Sequence, residues 1–170
     1  MRIVVPFDGS PAAQHATEYV IRLARECEGR DIEVHLLNVQ QPIAGFAESF
    51  GRDAADVASR LAGSARESGA RLLTGPTGLL EAADVRVLSS VLIGDPAQVI
   101  AAYTDKNHCD EVVMGTRGMG AVGGLILGSV ASKVIHLVDV PVTLVNTGPA
   151  DTRLPESADS RQDNATNRLV

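Results

Sequence analysis

The stretch EVVMGTRGMGAVGGLILGSV, residues 111–130, joins a strand, a glycine loop and the start of a helix. Glu111 to Met114 is a short apolar, β-branched run, as expected for a strand buried on both faces. Six of the chain's 16 glycines then fall between positions 115 and 128: Gly115, Gly118, Gly120, Gly123, Gly124 and Gly128. Glycine costs backbone entropy, so such a cluster needs a reason; glycine permits φ > 0 and lets a ligand lie directly on the backbone. Gly128-Ser129-Val130 opens a helix over Ser129–Val138, with Val130, Val134 and Val138 on one face. Amides at a helix N-terminus attract anions, and a Ser there can cap the helix and donate to a phosphate oxygen. The loop therefore reads as a phosphate cradle, with a surface loop capped by Ser129 as the competing reading.

Working outward, the same alternation of apolar runs and helical patterns fills most of the chain. Ile3-Val4-Val5 reads as the first strand. Ser10-Pro11 starts a helix that runs to about Glu28 and stops at Gly29. Ile32–Val39 reads as the second strand, residues 40–52 as a loop, and Asp53–Leu73 as the second helix. Gly75-Pro76-Thr77-Gly78 is expected to break that helix, with a short helical piece over Leu79–Ala83. Val85–Leu92 is the third strand. Asp95-Pro96-Ala97-Gln98 opens the third helix as a capping box. Val140–Val145 is the fifth strand, and Pro141 puts it at an edge. Strands alternating with helices give an α/β domain with a mostly parallel sheet, in which ligands bind at the carboxyl ends of the strands. The first strand ends there in Pro6-Phe7-Asp8-Gly9-Ser10. Asp8 is either a turn residue in an Asp-Gly pair or a ligand for a ribose hydroxyl.

Composition narrows the function. At 170 residues and 45% apolar content, the chain suits one domain. Residues 1–147 carry the pattern; residues 148–170 are polar and aperiodic and read as a disordered tail. A net charge of −6 argues against a nucleic-acid binder, and 3% aromatics without Trp argue against a base-stacking platform. No apolar run reaches the ~18–20 residues of a membrane span, and Asp8 interrupts any signal-peptide core, so a cytoplasmic location is expected. Cys27 continues an apolar helical face, and Cys109 sits in a helix-to-strand turn beside His108 with no second His/Cys pair to complete a metal site.

The glycine loop is not a Walker A motif, because no Gly-Lys pair exists in the chain. Gly118–Gly123 matches G-x-G-x-x-G, but it follows the fourth strand and does not open a helix directly, so the match is read as chance. The loop offers amides and Arg117, but no Lys and no general base. His15, His35, His108 and His136 are scattered, and His35 reads as a sheet-face residue. Efficient turnover is not indicated.

Gly115-x2-Gly118-x9-Gly128-Ser129, with the opening IVVPFDGS, the IGDPAQVI segment and the EVVMGTRG junction, resembles the nucleotide motif of the universal stress protein family. The resemblance covers about residues 1–147. It implies a Rossmann-like sheet of the adenine nucleotide α-hydrolase type, five parallel strands in the order 3-2-1-4-5 with helices on both faces. It implies ATP as ligand, carried with Mg or Mn. By the same resemblance Asp8 holds the ribose, Pro6 and Phe7 line the adenine side, and Val39 pairs the adenine edge through its backbone. Met114 and Gly115 flank the nucleoside, and Gly118, Gly128, Ser129 and Val130 hold the phosphates. Arg117 either adds a charge-assisted contact or is a solvated loop residue. The family implies a homodimer paired through Val140–Val145 and a nucleotide-dependent role in the stress response. The alternatives are a homodimeric interaction protein without nucleotide, or a weak ATPase or adenylating enzyme.

Overall fold

The computed structural model describes residues 1–27, 31–42, 54–118 and 127–146. The elements are β1 (Arg2–Pro6), α1 (Pro11–Glu26), β2 (Glu33–Gln40), α2 (Ala54–Glu81), β3 (Arg86–Ile93), α3 (Pro96–Lys106), β4 (Glu111–Gly115), α4 (Ser129–Leu137) and β5 (Val142–Val145). The strands form one sheet in the order β3-β2-β1-β4-β5, with every neighbouring pair parallel. This is the expected doubly covered α/β sheet, with β5 at an edge.

Two cores explain the layers. Ile3, Val5 and Phe7 of the β1 segment pack with Val34 and Leu36 of β2 against α1 and α2. Val4 and Leu37 face the other way and pack with Val112 and Met114 against α3 and α4. Ile3, Val4 and Val5 are all fully buried, which is why the β1 run is apolar without alternation. Burial of that central strand holds both helix layers to one sheet, at roughly 25 cal/mol per Å² of apolar surface removed from water.

The caps of α1 and α3 follow the sequence. Ser10 accepts from the Ala13 amide at 3.2 Å, and Asp95 accepts from the Gln98 amide at 3.1 Å, each followed by Pro in the first turn. α1 closes at Cys27, whose amide donates to Leu23 O; the expected stop at Gly29 lies outside the described residues, as do the tail from 148 and positions 119–126 of the glycine loop.

Two expectations are corrected. α2 is not broken at Gly75-Pro76-Thr77-Gly78 but runs through Pro76 to Glu81. Leu73 and Leu80, two helical turns apart, are both buried in the first core, and Pro76 between them is buried too. That anchoring on both sides of Pro76 outweighs the lost hydrogen bond and the ring clash, which cost about 3 kcal/mol. The second correction concerns α4. Its N-cap is Gly128, with no side-chain cap, and Ser129 is already the first helical residue. Ser129 therefore does not cap the helix.

Candidate functional site

At the carboxyl ends of β1, β2 and β4 lies a cleft of about 350 Å³. All eleven residues singled out in the sequence line it, and they come from four separate segments of chain. Toward β2 the wall is Leu37 and Val39, closed from α3 by Pro96 and Ile100 and from β4 by Met114. These side chains make that end apolar. Pro6 and Phe7 lie at the centre, and Phe7 also belongs to the α1–α2 core. Toward β4 the lining is Gly115, Thr116, Arg117 and Gly118, then Gly128 to Ala131, three of them glycines with no side chain.

Asp8 sits between the two ends. Its Oδ1 accepts from the Ser10 amide at 3.0 Å, so the turn reading is correct, and the same carboxylate lines the cleft, so the ligand reading is sterically open. Gly9 turns the chain here at φ +86°, a left-handed conformation that favours glycine. Ser10 then caps α1 and also donates through Oγ to Arg117 O at 3.5 Å, tying the β1 turn to the glycine loop.

Gly115, Gly118 and Gly128 are needed for space, not for unusual dihedrals. Among the described glycines only Gly9 and Gly94 have positive φ. A Cβ on Gly118 would stand 2.5 Å from Asp8 Oδ2. One on Gly128 would stand 3.3 Å from Thr116 O. One on Gly115 would stand 2.6 Å from Ala12 Cβ and 2.7 Å from the Ala12 carbonyl carbon, so Gly115 is fixed by the approach of α1.

The start of α4 is held from behind. The Gly128 amide donates to Thr116 O at 2.7 Å, and the Thr116 amide donates to Val145 O at 2.9 Å. The first helical hydrogen bond runs from Ser132 N to Gly128 O. The amides of Ser129, Val130 and Ala131 thus precede any intrahelical acceptor, and no side chain caps them. That leaves the positive end of the α4 dipole aimed at the cleft. Asp8 and Arg117 supply the titratable side chains of the lining.

The family model for the universal stress protein family matches residues 1–146. The chain belongs to the universal stress protein family. A universal stress protein of Thermus aquaticus is 33% identical over 144 residues, covering 84% of this chain and 96% of that one. Universal stress protein UspA from Lactobacillus plantarum shares the fold with a TM-score of 0.73 at 20% identity, covering 85% of this chain and 97% of the other. A family member from Arabidopsis thaliana, solved with AMP bound, shares it with a TM-score of 0.62 at 21% identity, covering 94% and 99%.

In this universal stress protein the histidines stay out of the cleft lining. His35 is buried on β2, with Nδ1 3.1 Å from the Tyr103 hydroxyl and Nε2 3.1 Å from Glu33 Oε1. Asp31 and Arg86 pair at the opposite, amino end of the sheet; the guanidinium holds the Asp31 carboxyl below the usual range and is itself raised by it. Burial pushes the Cys109 thiol up. Among the described residues no group of three or more His, Cys, Asp or Glu is placed to hold a metal. None of the helices among them is long and apolar enough to cross a membrane.

The residues that sequence reading missed are mostly small or apolar: Ala13, Leu37, Ile100 and Ala131 line the cleft but read as core. Ser10 was recognised only as a cap. Gln41 and Thr116 carried no local signal beyond their positions directly after β2 and β4.

Proposed function

We propose that this universal stress protein binds an adenine nucleotide, ATP with Mg or Mn, in the cleft at the carboxyl end of its sheet, and acts as a nucleotide-dependent regulator in the stress response of the cytoplasm. The observation that carries this reading is the uncapped α4 N-terminus facing the same cleft as Asp8 and the apolar Val39–Ile100–Met114 wall. Those three features suit phosphates, a ribose diol and a base in that order along the cleft. Gly118, Gly128, Ser129 and Val130 would meet phosphate oxygens through their amides, and Arg117 would add a charge-assisted contact. Asp8 lines the cleft between these ends and would accept from the ribose hydroxyls through its carboxylate. Pro6, Phe7, Met114 and Gly115 would flank the nucleoside, and the Val39 backbone would pair the base edge. The AMP complex of the Arabidopsis relative supports this class of ligand. The metal would arrive on the phosphates.

The lining favours binding over turnover. Hydrolysis needs a group to orient water and charge to offset the transition state. Asp8 is engaged in the turn on the ribose side, and neither a Lys nor a His lines the cleft among the described residues. We expect slow hydrolysis at most.

The test is the identity of the nucleotide released when freshly purified protein is denatured, read by mass spectrometry, together with thermal denaturation in millimolar ATP–Mg. A ligand present at about 100 times Kd stabilises the fold by about 2.7 kcal/mol. Protein that carries no adenine compound and shows no shift with ATP, ADP or AMP sinks the proposal.

A further inference from the structure

Asn38 is an amide buried in a parallel strand, 2% exposed, and it faces away from the cleft into the α1–α2 layer. Its Nδ2 donates to Phe7 O at 2.7 Å, and its Oδ1 accepts from Gln40 Nε2 at 2.7 Å. Only one amide orientation satisfies both partners, because a carbonyl can only accept. α2 closes over this side chain: a Cβ on Gly69 would stand 2.5 Å from Asn38 Oδ1. The rotamer is locked from above, and the amide cannot turn to another partner.

The consequence lies in the β1–β2 ladder. Successive residues of a strand direct their N–H and C=O groups to alternate sides. Phe7 N donates to Leu37 O, so odd residues of β2 point toward β1; Gly94 N donates to Gln40 O, so even residues point toward β3. Val39 therefore directs its N–H toward β1, where the next ladder acceptor is Phe7 O. The strand pairing stops one step earlier, at Pro6 with Leu37, and Phe7 O is taken by the Asn38 side chain. Val39 lines the cleft at this point.

We infer that Asn38 is a positioning residue: by capping Phe7 O from beneath the sheet, it keeps the Val39 amide out of the ladder and available to a ligand at the apolar end of the cleft. The use of that amide by a nucleotide base rests on the proposed nucleotide function; the unzipped ladder does not. Asn38 touches no ligand. It also fixes the Phe7 carbonyl directly before Asp8, so one buried amide sets both the base end and the carboxylate at the centre. Losing it lets the Phe7 carbonyl turn to the Val39 N–H and extend the ladder by one bond.

Two measurements test this. Amide hydrogen exchange on the ligand-free wild-type chain should show Leu37 protected and Val39 exchanging fast. A Val39 amide as protected as Leu37 overturns the inference, whatever the protein binds. The second compares Asn38→Leu and Asn38→Asp with wild type, each checked for folding by circular dichroism, in titrations with AMP and with inorganic tripolyphosphate. AMP affinity should fall at least about fivefold, the scale of one hydrogen bond of ~1 kcal/mol, with tripolyphosphate affinity unchanged. Asn38→His, which keeps a donor, should recover part of the loss. Unchanged AMP affinity in the folded variants, or an equal loss for AMP and tripolyphosphate, overturns the inference. A wild-type chain that binds no nucleotide but shows the Val39 exchange pattern ends the nucleotide proposal and leaves the role of Asn38 standing.

Discussion

Gly118 and Gly115 look alike in the sequence and do different work. Gly118 is exposed, and its missing Cβ leaves room for the Asp8 carboxylate. Gly118→Val should therefore leave the fold intact and abolish nucleotide binding, a fall of at least about a hundredfold, or ~3 kcal/mol; calorimetric titration with ATP–Mg reads it, and wild-type affinity would count against the phosphate site. Gly115 instead borders the backbone of Ala12 in α1. Gly115→Ala should destabilise the fold by about 1–3 kcal/mol through overpacking, seen as an earlier denaturant midpoint. An unchanged midpoint would mean that α1 yields at that contact. Asp8 allows a finer separation, because its Oδ1 already serves the Ser10 amide. Asp8→Asn keeps that acceptor, so stability should stay within about 0.5 kcal/mol while nucleotide affinity falls several-fold with loss of the charge-assisted contacts. Equal stability losses in Asp8→Asn and Asp8→Ala would show that charge, not the turn, is what the fold requires here.

At the level of elements, what was legible followed from local chemistry. Ser10-Pro11 and Asp95-Pro96 start helices because a polar acceptor and a preset φ act within a few residues, and both caps form as read. The apolar runs marked all five strands to within a residue or two. Pairing order is not local: periodicity gave a parallel sheet, and only the family resemblance supplied 3-2-1-4-5. α2 was misread because Pro76 is a local breaker, while Leu73 and Leu80 hold the helix to the core by tertiary contacts that no local pattern displays. The start of α4 at Ser129 is legible, but its cap is Gly128 and not Ser129, although Ser is the better capping residue. Asn38 was invisible because a polar residue in a strand carries no signal of its partner 31 positions away. Pro76 gives this scale its prediction. It lacks the N–H that would close a helical turn, so Pro76→Ala should stabilise the chain by about 1–2 kcal/mol, the helix penalty less the unfolded-state entropy and the packing of the ring. A lower melting temperature for the variant would show that the buried ring matters more than the missing bond.

For the whole molecule, the two ends of the sheet have separate roles. The amino end is closed by charges: Arg86 pairs with Asp31 and Glu33, and Arg2 with Glu33. Because the folded Asp31 pKa is depressed, its contribution is present above the ordinary carboxylate range and is lost as pH falls through the lowered folded value. The Asp31–Arg86 pair is exposed, so salt should screen its part of the acid limb. β5 is one of the two edge strands of the sheet, β3 being the other. Its odd residues bond inward, since Val112 N donates to Pro141 O and Thr116 N to Val145 O. Val142 and Leu144 therefore direct their amides outward, away from β4. An edge strand with free outward amides is a template for a second copy, and a two-fold axis makes such pairing antiparallel and self-closing. We expect a homodimer through the Val140–Val145 segment. Val142→Pro removes one outward donor at the strand start, beside a residue that is already Pro, and leaves the inward bonds of β5 in place. Sedimentation should then shift from dimer to monomer at micromolar concentration with the circular dichroism spectrum retained. A wild-type monomer, or a variant whose dimer persists, removes β5 as the interface. Because Val145 O also receives the Thr116 amide that stands behind the α4 N-terminus, the same sedimentation run with ATP–Mg shows whether edge pairing and the cleft are coupled.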